Sequence, residues 1–250
     1  MILIALLQNL LLELLAVTCQ EWIQGRIIGG YAPPPYTIKY MVSIQSTSGQ
    51  HFCGGTLINK YWVLTAAHCD VGVEHMMIIA GDYSLSMYEG TEQFYRPYLL
   101  IPHPDYNKTT HNADIMLIKL RAPVVLNSYV SFAPLPRQDA SVAEGRVCRV
   151  SGWGRTSPAG GQIPSVLRTV KLPIVSTARC NSSDSFNGSI SENMICAGYS
   201  AKGARMPARV TQVARLCVRA RSTASCPGER GVPMPGTQGS TPPCQDTAGG

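Results

Sequence analysis

Short apolar runs alternate with clusters of turn-forming residues over most of the chain, from residue 27 to about residue 199. Typical runs are residues 40–44 and 115–120, and the stretches between them carry turn signals such as the three consecutive prolines at 33–35. Strands of this length and spacing are typical of barrels and sandwiches built from antiparallel sheets. The pattern therefore predicts an all-β fold.

The two ends of the chain depart from this pattern. Residues 2–17 are almost entirely Leu, Ile and Ala, a run shorter than the roughly 20 residues of a membrane span, and Glu13 interrupts it. We interpret residues 1–18 as a cleaved signal peptide, so we expect a secreted, extracellular protein with no membrane anchor. A buried core helix is the alternative, because no Lys or Arg precedes the run. Residues 204–250 contain no Trp, Tyr, Phe or Ile, which predicts a disordered tail.

Composition indicates an oxidising compartment and argues against a nucleic-acid partner. The chain has 250 residues, 45% of them hydrophobic and 14% charged, enough to bury one large core or two small ones. Nine cysteines favour an oxidising compartment. The net charge is +6, but six Arg against Glu229 and Asp246 place +4 of it in residues 204–250, which leaves +2 for the rest. We therefore expect no nucleic-acid partner.

Three positions in the first half of the chain point to chemistry. His68 closes a segment that begins with the apolar run 62–64, and on its own it is more often a core residue than a catalyst. Asp114 stands directly before the run 115–120, where a buried carboxylate needs a hydrogen-bond partner. Arg26 directly precedes Ile27, which begins an apolar, glycine-backed segment. A cut after Arg26 would therefore create a new apolar N-terminus.

These motifs, followed in order by Ser-Gly-Trp-Gly at 151–154 and Met-Ile-Cys-Ala-Gly-Tyr at 194–199, resemble those of the chymotrypsin-like serine proteases, and in particular the trypsins. The resemblance implies two antiparallel six-stranded β-barrels over residues 27–203, with a catalytic cleft between them. It also implies a pro-segment, residues 19–26, removed by a cut between Arg26 and Ile27. The expected partners are protein or peptide substrates cut after Arg or Lys, protease inhibitors and an activating protease.

The resemblance assigns roles to individual residues. His68 becomes the general base, and Asp114 the carboxylate that holds the imidazole in the required tautomer. Two family disulfides are implied, Cys53 with Cys69 and Cys180 with Cys196. The chemistry requires no cofactor.

A structural calcium loop is implied at residues 82–92, with Asp82, Ser84, Glu89 and Glu92 as the ligand positions. A solvated acidic loop with no metal is the alternative. Asn107, Asn181 and Asn187 each begin an Asn-X-Ser/Thr triplet, the acceptor pattern for N-glycosylation.

The chain departs from the family after Cys196–Tyr199. The resemblance requires Gly-Asp-Ser-Gly-Gly-Pro about a dozen residues later, and residues 204–215 contain nothing like it. The nucleophilic Ser, the oxyanion-hole glycine and the acid of the substrate pocket are therefore all missing. As written, the sequence predicts an incomplete second barrel and an inactive enzyme.

A shifted reading frame accounts for this loss. When each codon is rebuilt from the third base of one residue and the first two bases of the next, residues 203–250 permit a trypsin-like ending that contains Gly-Asp-Ser-Gly-Gly-Pro. The alternatives are a pseudogene lesion and a secreted, non-catalytic protease homologue that binds anionic glycans through its basic tail. A tail shaped by selection for binding need not conceal an intact protease ending.

Overall fold

The structure is a computed structural model that describes residue 27 and residues 29–137, 140–156 and 163–198. The predictions for the signal peptide (1–18), the pro-segment (19–26) and the tail (204–250) lie outside these residues. Among the residues described, no helix has both the length and the apolar composition to cross a membrane.

The first half of the described chain forms one antiparallel sheet of seven strands. The order across the sheet is β5-β4-β1-β2-β3-β7-β6. The strands are β1 Met41–Ser46, β2 His51–Asn59, β3 Trp62–Thr65, β4 Met76–Ala80, β5 Gln93–Tyr95, β6 Pro97–Pro102 and β7 Met116–Leu120. The predicted all-β fold is confirmed.

The sheet closes on itself at Arg96. The two outermost strands, β5 and β6, are separated along the chain by this one residue. Pro97 has no N–H with which to continue a ladder, and the chain bends there. The Arg96 carbonyl accepts a hydrogen bond from the Arg121 N–H (3.0 Å), just beyond β7. Residues 93–102 thus act as one bent strand that pairs with β4 and then with β7, which makes a six-stranded barrel.

The barrel interior is filled by the alternate residues of its strands. Val63 on β3 and Ile118 on β7 face each other in register and are both 0% exposed. The buried cluster also includes Val42, Ile44, Leu57, Met76 and Ile78. A side chain at Gly55 would meet Val63 at 2.6 Å and Val42 at 3.0 Å, so only glycine fits where β2 crosses this core.

The second half contributes a smaller sheet. Its order is β10-β9-β8, with β8 at Val147–Gly152, β9 at Arg168–Val175 and β10 at Cys196–Ala197. A one-turn helix, α1, spans Thr177–Cys180 and follows β9. The remaining strands expected for a second barrel would follow residue 198, outside the part of the chain described.

Tyr83 joins the two sheets. Its carbonyl accepts hydrogen bonds from the Leu167 N–H (2.9 Å) and from the Trp153 indole (3.2 Å). Trp153 is 2% exposed and packs with Leu167 and Met41 in a second buried cluster. The loop that follows β4 therefore anchors the second sheet to the barrel.

His51, at the start of β2, lies at the same joint. Its Nδ1 is 2.8 Å from the Ser43 hydroxyl, and its ring packs edge-on against Trp153 with the ring centroids 5.3 Å apart. Burial lowers the pKa of His51 from 6.5 to about 4. The folded protein therefore holds this imidazole neutral.

We predict that the contribution of His51 to the free energy of unfolding falls as the pH drops from 6.5 toward 4, while Asp82, whose pKa is raised to about 7, acts in the opposite direction. In this window the unfolded chain binds a proton on His51 that the folded chain does not, and the full shift corresponds to roughly 3–4 kcal/mol. His51→Gln keeps a polar partner for Ser43 but does not titrate, so it should remove the His51 contribution and change the slope of the free energy of unfolding against pH. Urea unfolding across the window measures it, with exposed His75→Gln as the control. An equal slope in His51→Gln and the original chain would contradict the assignment.

Candidate active site

His68 and Asp114 meet because β3 and β7 are antiparallel neighbours. Thr65, the last residue of β3, lies opposite Met116, the first residue of β7. The chain leaves β3 at the same edge where it enters β7. His68 lies three residues beyond Thr65, on a short 3₁₀ turn, and Asp114 lies two residues before Met116. Residues 46 positions apart are thereby brought into contact.

The two side chains form a closely bonded pair. His68 Nδ1 is 2.7 Å from Asp114 Oδ2, and the His68 backbone N–H donates to Asp114 Oδ1 at 2.9 Å. The Asp114 side chain is 0% exposed, whereas the His68 side chain is 17% exposed. Both carboxylate oxygens therefore bond to one residue, which fixes the ring relative to the backbone. With Nδ1 held by Asp114, the imidazole can take up a proton at Nε2.

A disulfide holds the turn that carries His68. Cys53 and Cys69 are joined, with an S–S distance of 2.04 Å. Thr65 Oγ1 also donates to the Gly54 carbonyl (2.8 Å), which ties the end of β3 to β2. The two sulfurs and a His68 ring nitrogen lie within 4.8 Å of one another. Because the sulfurs are bonded to each other, they offer no thiolate to a metal ion.

The second disulfide lies in the smaller sheet. Cys180 at the end of α1 is joined to Cys196 on β10. The two residues and Ile190 form a small buried cluster. This bridge fixes the segment that leads toward residue 199.

The structure brings two further residues to the pair that the sequence reasoning did not name. The His111 ring lies edge-on to the His68 ring, with the centroids 6.3 Å apart. Burial, and then the negative charge of Asp114, raises the pKa of Tyr106. Both residues belong to the segment between β6 and β7 that ends at Asp114. The position of both residues on the same loop as Asp114 was the one available sign of this proximity. The path of the folded loop could not be derived from sequence spacing.

Ile27, the residue after the predicted cut, is buried against the second sheet. It is 4% exposed, packs on Val150 of β8, and donates its backbone N–H to the Arg155 carbonyl (2.8 Å). Gly30 lies against it, and a side chain there would meet Ile27 Cγ2 at 2.5 Å. Arg26 lies outside the described residues.

The acidic residues of the predicted calcium loop face one another. Glu89 Oε2 accepts the backbone N–H groups of Tyr83 and Ser84, both at 2.9 Å. Glu92 Oε1 accepts the Glu89 N–H. Burial, followed by the charges of Glu92 and Glu89, raises the pKa of Asp82 from 3.8 to about 7. The negative charges of Glu89 and Glu92 therefore act on the Asp82 carboxyl group.

The three predicted glycosylation sites differ in what the side-chain amide of each asparagine contacts. Asn181 Nδ2 donates to the Ile190 carbonyl (2.9 Å), and its Oδ1 accepts the Ile190 N–H (2.8 Å). Asn107 and Asn187 are exposed. The Asn107 Oδ1 accepts the N–H groups of Thr109 and Thr110, and this contact does not use its Nδ2.

An antiparallel barrel that carries an imidazole held by a fully buried carboxylate matches two members of the Ser-His-Asp triad of the chymotrypsin-like serine proteases. Comparison with known proteins agrees: residues 27–209 match the Trypsin family model. The trypsin of Sus scrofa is 44% identical over 174 residues, which cover 70% of this chain and 72% of the relative. Trypsin-3 of Salmo salar is also 44% identical, with 70% of both chains covered, and the anionic trypsin of Canis lupus familiaris is 42% identical, with 70% and 67% covered. The chain belongs to the trypsin family and is a trypsin-like serine protease by descent.

We predict that Asp114→Asn reverses the tautomer of His68. The substituted amide presents an N–H where a carboxylate oxygen accepted one, so the imidazole must protonate on the opposite nitrogen. Nitrogen-detected NMR of the full chain should show His68 protonated on Nδ1 before the substitution and on Nε2 after it. His75→Gln, at an exposed site, is the control and should leave the His68 signals in place. An unchanged tautomer in Asp114→Asn would show that Asp114 does not hold the ring.

Proposed function

We propose that this chain derives from the zymogen of a secreted endopeptidase that cuts after Arg or Lys, and that the sequence as written is inactive. The observation that carries the proposal is the His68–Asp114 pair. Its geometry is that of a general base and the carboxylate that orients it, yet the sequence holds no Gly-Asp-Ser-Gly-Gly-Pro for it to activate.

In the complete enzyme, catalysis is acyl transfer to a serine. His68 Nε2 accepts the serine proton as the hydroxyl attacks the substrate carbonyl, then returns it to the leaving amine. Asp114 remains ionised and stabilises the imidazolium. Water then hydrolyses the acyl-enzyme by the same proton transfers. The written chain contains His68 and Asp114, which would transfer and stabilise the proton, and lacks the nucleophile and its oxyanion donors.

The shifted frame after Gly203 restores the catalytic and substrate-binding residues that the written sequence lacks. It supplies the nucleophile, the adjacent Asp and an Asp for the base of the substrate pocket, and that last acid selects Arg or Lys. A new Ile27 amine could then pair with the acid beside the nucleophile. The existing burial of Ile27 against β8 supports this route. Because residues 19–26 lack an acidic run, an Arg-specific protease is the proposed activator.

We further propose that loop 82–92 binds a structural calcium ion. Two observations support the fit: the Glu92 Oε2 is buried with no hydrogen-bond partner among the described residues, and the pKa of Asp82 is raised to about 7 by burial and its acidic neighbours. A hard divalent cation with oxygen ligands would neutralise this loop. Asp82, Glu89 and Glu92 would hold it, with Ser84 beside them. Saturable calcium binding by the intact chain, lost in Glu92→Gln, is the expected result.

We also propose N-glycans on Asn107 and Asn187 and not on Asn181. A glycan on Asn181 would have to grow from a nitrogen that bonds the Ile190 carbonyl in a partly buried site. Translation in the presence of microsomes tests this: the protease-protected chain should lose one glycan in Asn107→Gln, one in Asn187→Gln and none in Asn181→Gln. A glycan lost in Asn181→Gln would contradict the assignment. A chain left unprotected would instead contradict secretion.

We predict that restoring the frame at Gly203 creates an Arg/Lys-specific protease. The repaired chain should hydrolyse Arg and Lys esters only after cleavage at Arg26. His68→Ala should abolish most turnover, and Asp114→Asn should lower it by about 10⁴, as in the serine protease in which that substitution defines the role of the carboxylate. Ester hydrolysis and labelling by a serine-directed phosphonate are measured on the repaired chain before and after cleavage at Arg26.

The written chain is the matched control for the repair. It should neither hydrolyse the esters above the level of its His68→Ala variant nor react with the phosphonate. Stoichiometric labelling of the written chain would disprove its inactivity. A folded, Arg26-cleaved repaired chain with no preference for Arg or Lys would disprove the specificity, and would favour a binding role for the homologue.

A further inference from the structure

Asn112 stands between two residues of its loop that contact His68. On one side, His111 places its ring edge-on to the His68 ring, with the centroids 6.3 Å apart. On the other side, two residues along, Asp114 bonds both the ring and the backbone N–H of His68. Whatever holds Asn112 in place therefore also bears on the groups that surround the imidazole.

The backbone on both sides of Asn112 is in the left-handed region. The φ angle is +55° at His111 and +50° at Ala113, and neither residue is a glycine. A residue with a side chain rarely adopts this conformation, which persists where surrounding contacts over-determine it. The turn 111–113 therefore depends on contacts that hold it.

Two bonds hold Asn112 within its own loop. Its carbonyl accepts a hydrogen bond from the Asn107 N–H (3.1 Å), and its N–H donates to Thr110 Oγ1 (3.3 Å). Asn107 and Asn112 also form an isolated antiparallel bridge. Asn107 and Thr110 are exposed residues of the same loop. These bonds shape the turn, but they do not attach it to another part of the chain.

The Asn112 side chain supplies that attachment. Its Oδ1 accepts a hydrogen bond from Ser191 Oγ (2.7 Å) and one from Asn193 Nδ2 (3.2 Å), residues 79 and 81 positions away. An amide oxygen has two lone pairs, so it can satisfy both donors. Ser191 and Asn193 lie between α1 and β10. The contact thus joins the loop that ends at Asp114 to the second half of the described chain.

The segment that donates to Asn112 is itself fixed. Ile190, directly before Ser191, has its N–H and its carbonyl both bonded to the side chain of Asn181 (2.8 and 2.9 Å). Ile190 is 8% exposed and packs with Cys180 and Cys196, whose disulfide closes residues 180–196 into a loop. This disulfide loop is therefore a firm base for the donors.

We infer that Asn112 is a positioning residue for the His68–Asp114 pair, which anchors the turn 111–113 to the disulfide loop 180–196. The register of β3 and β7 brings the pair together, and the contacts of Asn112 hold the loop there. The inference deepens the proposed function, because the position of the pair matters to catalysis only if His68 is a general base. It extends the support of that base into the second half of the chain, where Ser191 acts on it through Asn112.

The test is NMR of the intact written chain, in which the His68 Nδ1–H resonance broadens as its proton exchanges with water. Ser191→Ala removes the shorter bond to Asn112, so this exchange should become about three- to tenfold faster, the change expected when one net hydrogen bond is lost. Ser191→Thr keeps a hydroxyl and should exchange as the original chain does. Ser182→Ala, at an exposed serine of the same disulfide loop, is the matched control and should also leave the exchange unchanged.

Further variants separate positioning from general stability. Asn193→Ala removes the longer bond at an exposed residue and should give a smaller rise in the same exchange rate. Asn112→Ala combined with Ser191→Ala should exchange no faster than Asn112→Ala, because both changes break the same bond. The backbone amides of β3 and β7 should keep their exchange rates in each variant, since the barrel itself stays folded.

Unchanged His68 exchange in both Ser191→Ala and Asn193→Ala would disprove the anchoring and leave the His68–Asp114 pair as it stands. Equally faster exchange throughout β3 and β7 would also disprove it, because the contacts would then serve stability in general. The measurement needs no nucleophile. An inactive repaired chain would therefore overturn the proposed function without changing this result.

Discussion

The buried carboxylate of Asp114 is the constraint on which the site depends. A charge with no exposed surface is tolerable only when hydrogen bonds replace its water, and His68 supplies one from its backbone N–H and one from its ring. These bonds are possible because the register of β3 and β7 brings the two residues to one edge of the barrel. The geometry of the His68–Asp114 pair is therefore set by the register of two strands of the first barrel.

Loop 82–92 is the second element on which several parts converge. Tyr83 makes three of these contacts. Its carbonyl accepts from the Leu167 N–H beside the second sheet, its hydroxyl donates to the Pro33 carbonyl in the N-terminal segment, and its N–H donates to Glu89. A cation bound there would neutralise repulsion between carboxylates on the same loop that joins the sheets. Its effect would then reach the barrel joint and the segment behind Ile27 through direct contacts rather than through a long pathway.

The alternation of apolar residues was enough to predict the strand class, and the runs 115–120 and 147–150 correspond to β7 and β8. Local pattern also drew attention to His68, which follows an apolar run, and to Asp114, which precedes one, but their predicted roles came from the family resemblance. It could not locate His111, whose contact with His68 depends on where a separate loop folds back. Nor could it separate Asn181 from the other acceptor asparagines, since the distinction lies in two hydrogen bonds to Ile190. Contacts between loops follow from tertiary packing, which periodicity does not encode.

The intact pair bears on the choice between a disrupted protease and a binding homologue. A buried carboxylate bonded to an imidazole adds little net stability compared with apolar residues of the same volume, because both groups lose their hydration. A protein retained only as a scaffold would have little physical reason to keep Asp114 fully buried against a partly exposed imidazole. The same chain keeps Ile27 buried directly after Arg26, the predicted cleavage residue. Both features are ones that catalysis would use together with a nucleophile and its adjacent acid, and they support our proposal that the lost ending belongs to a protease.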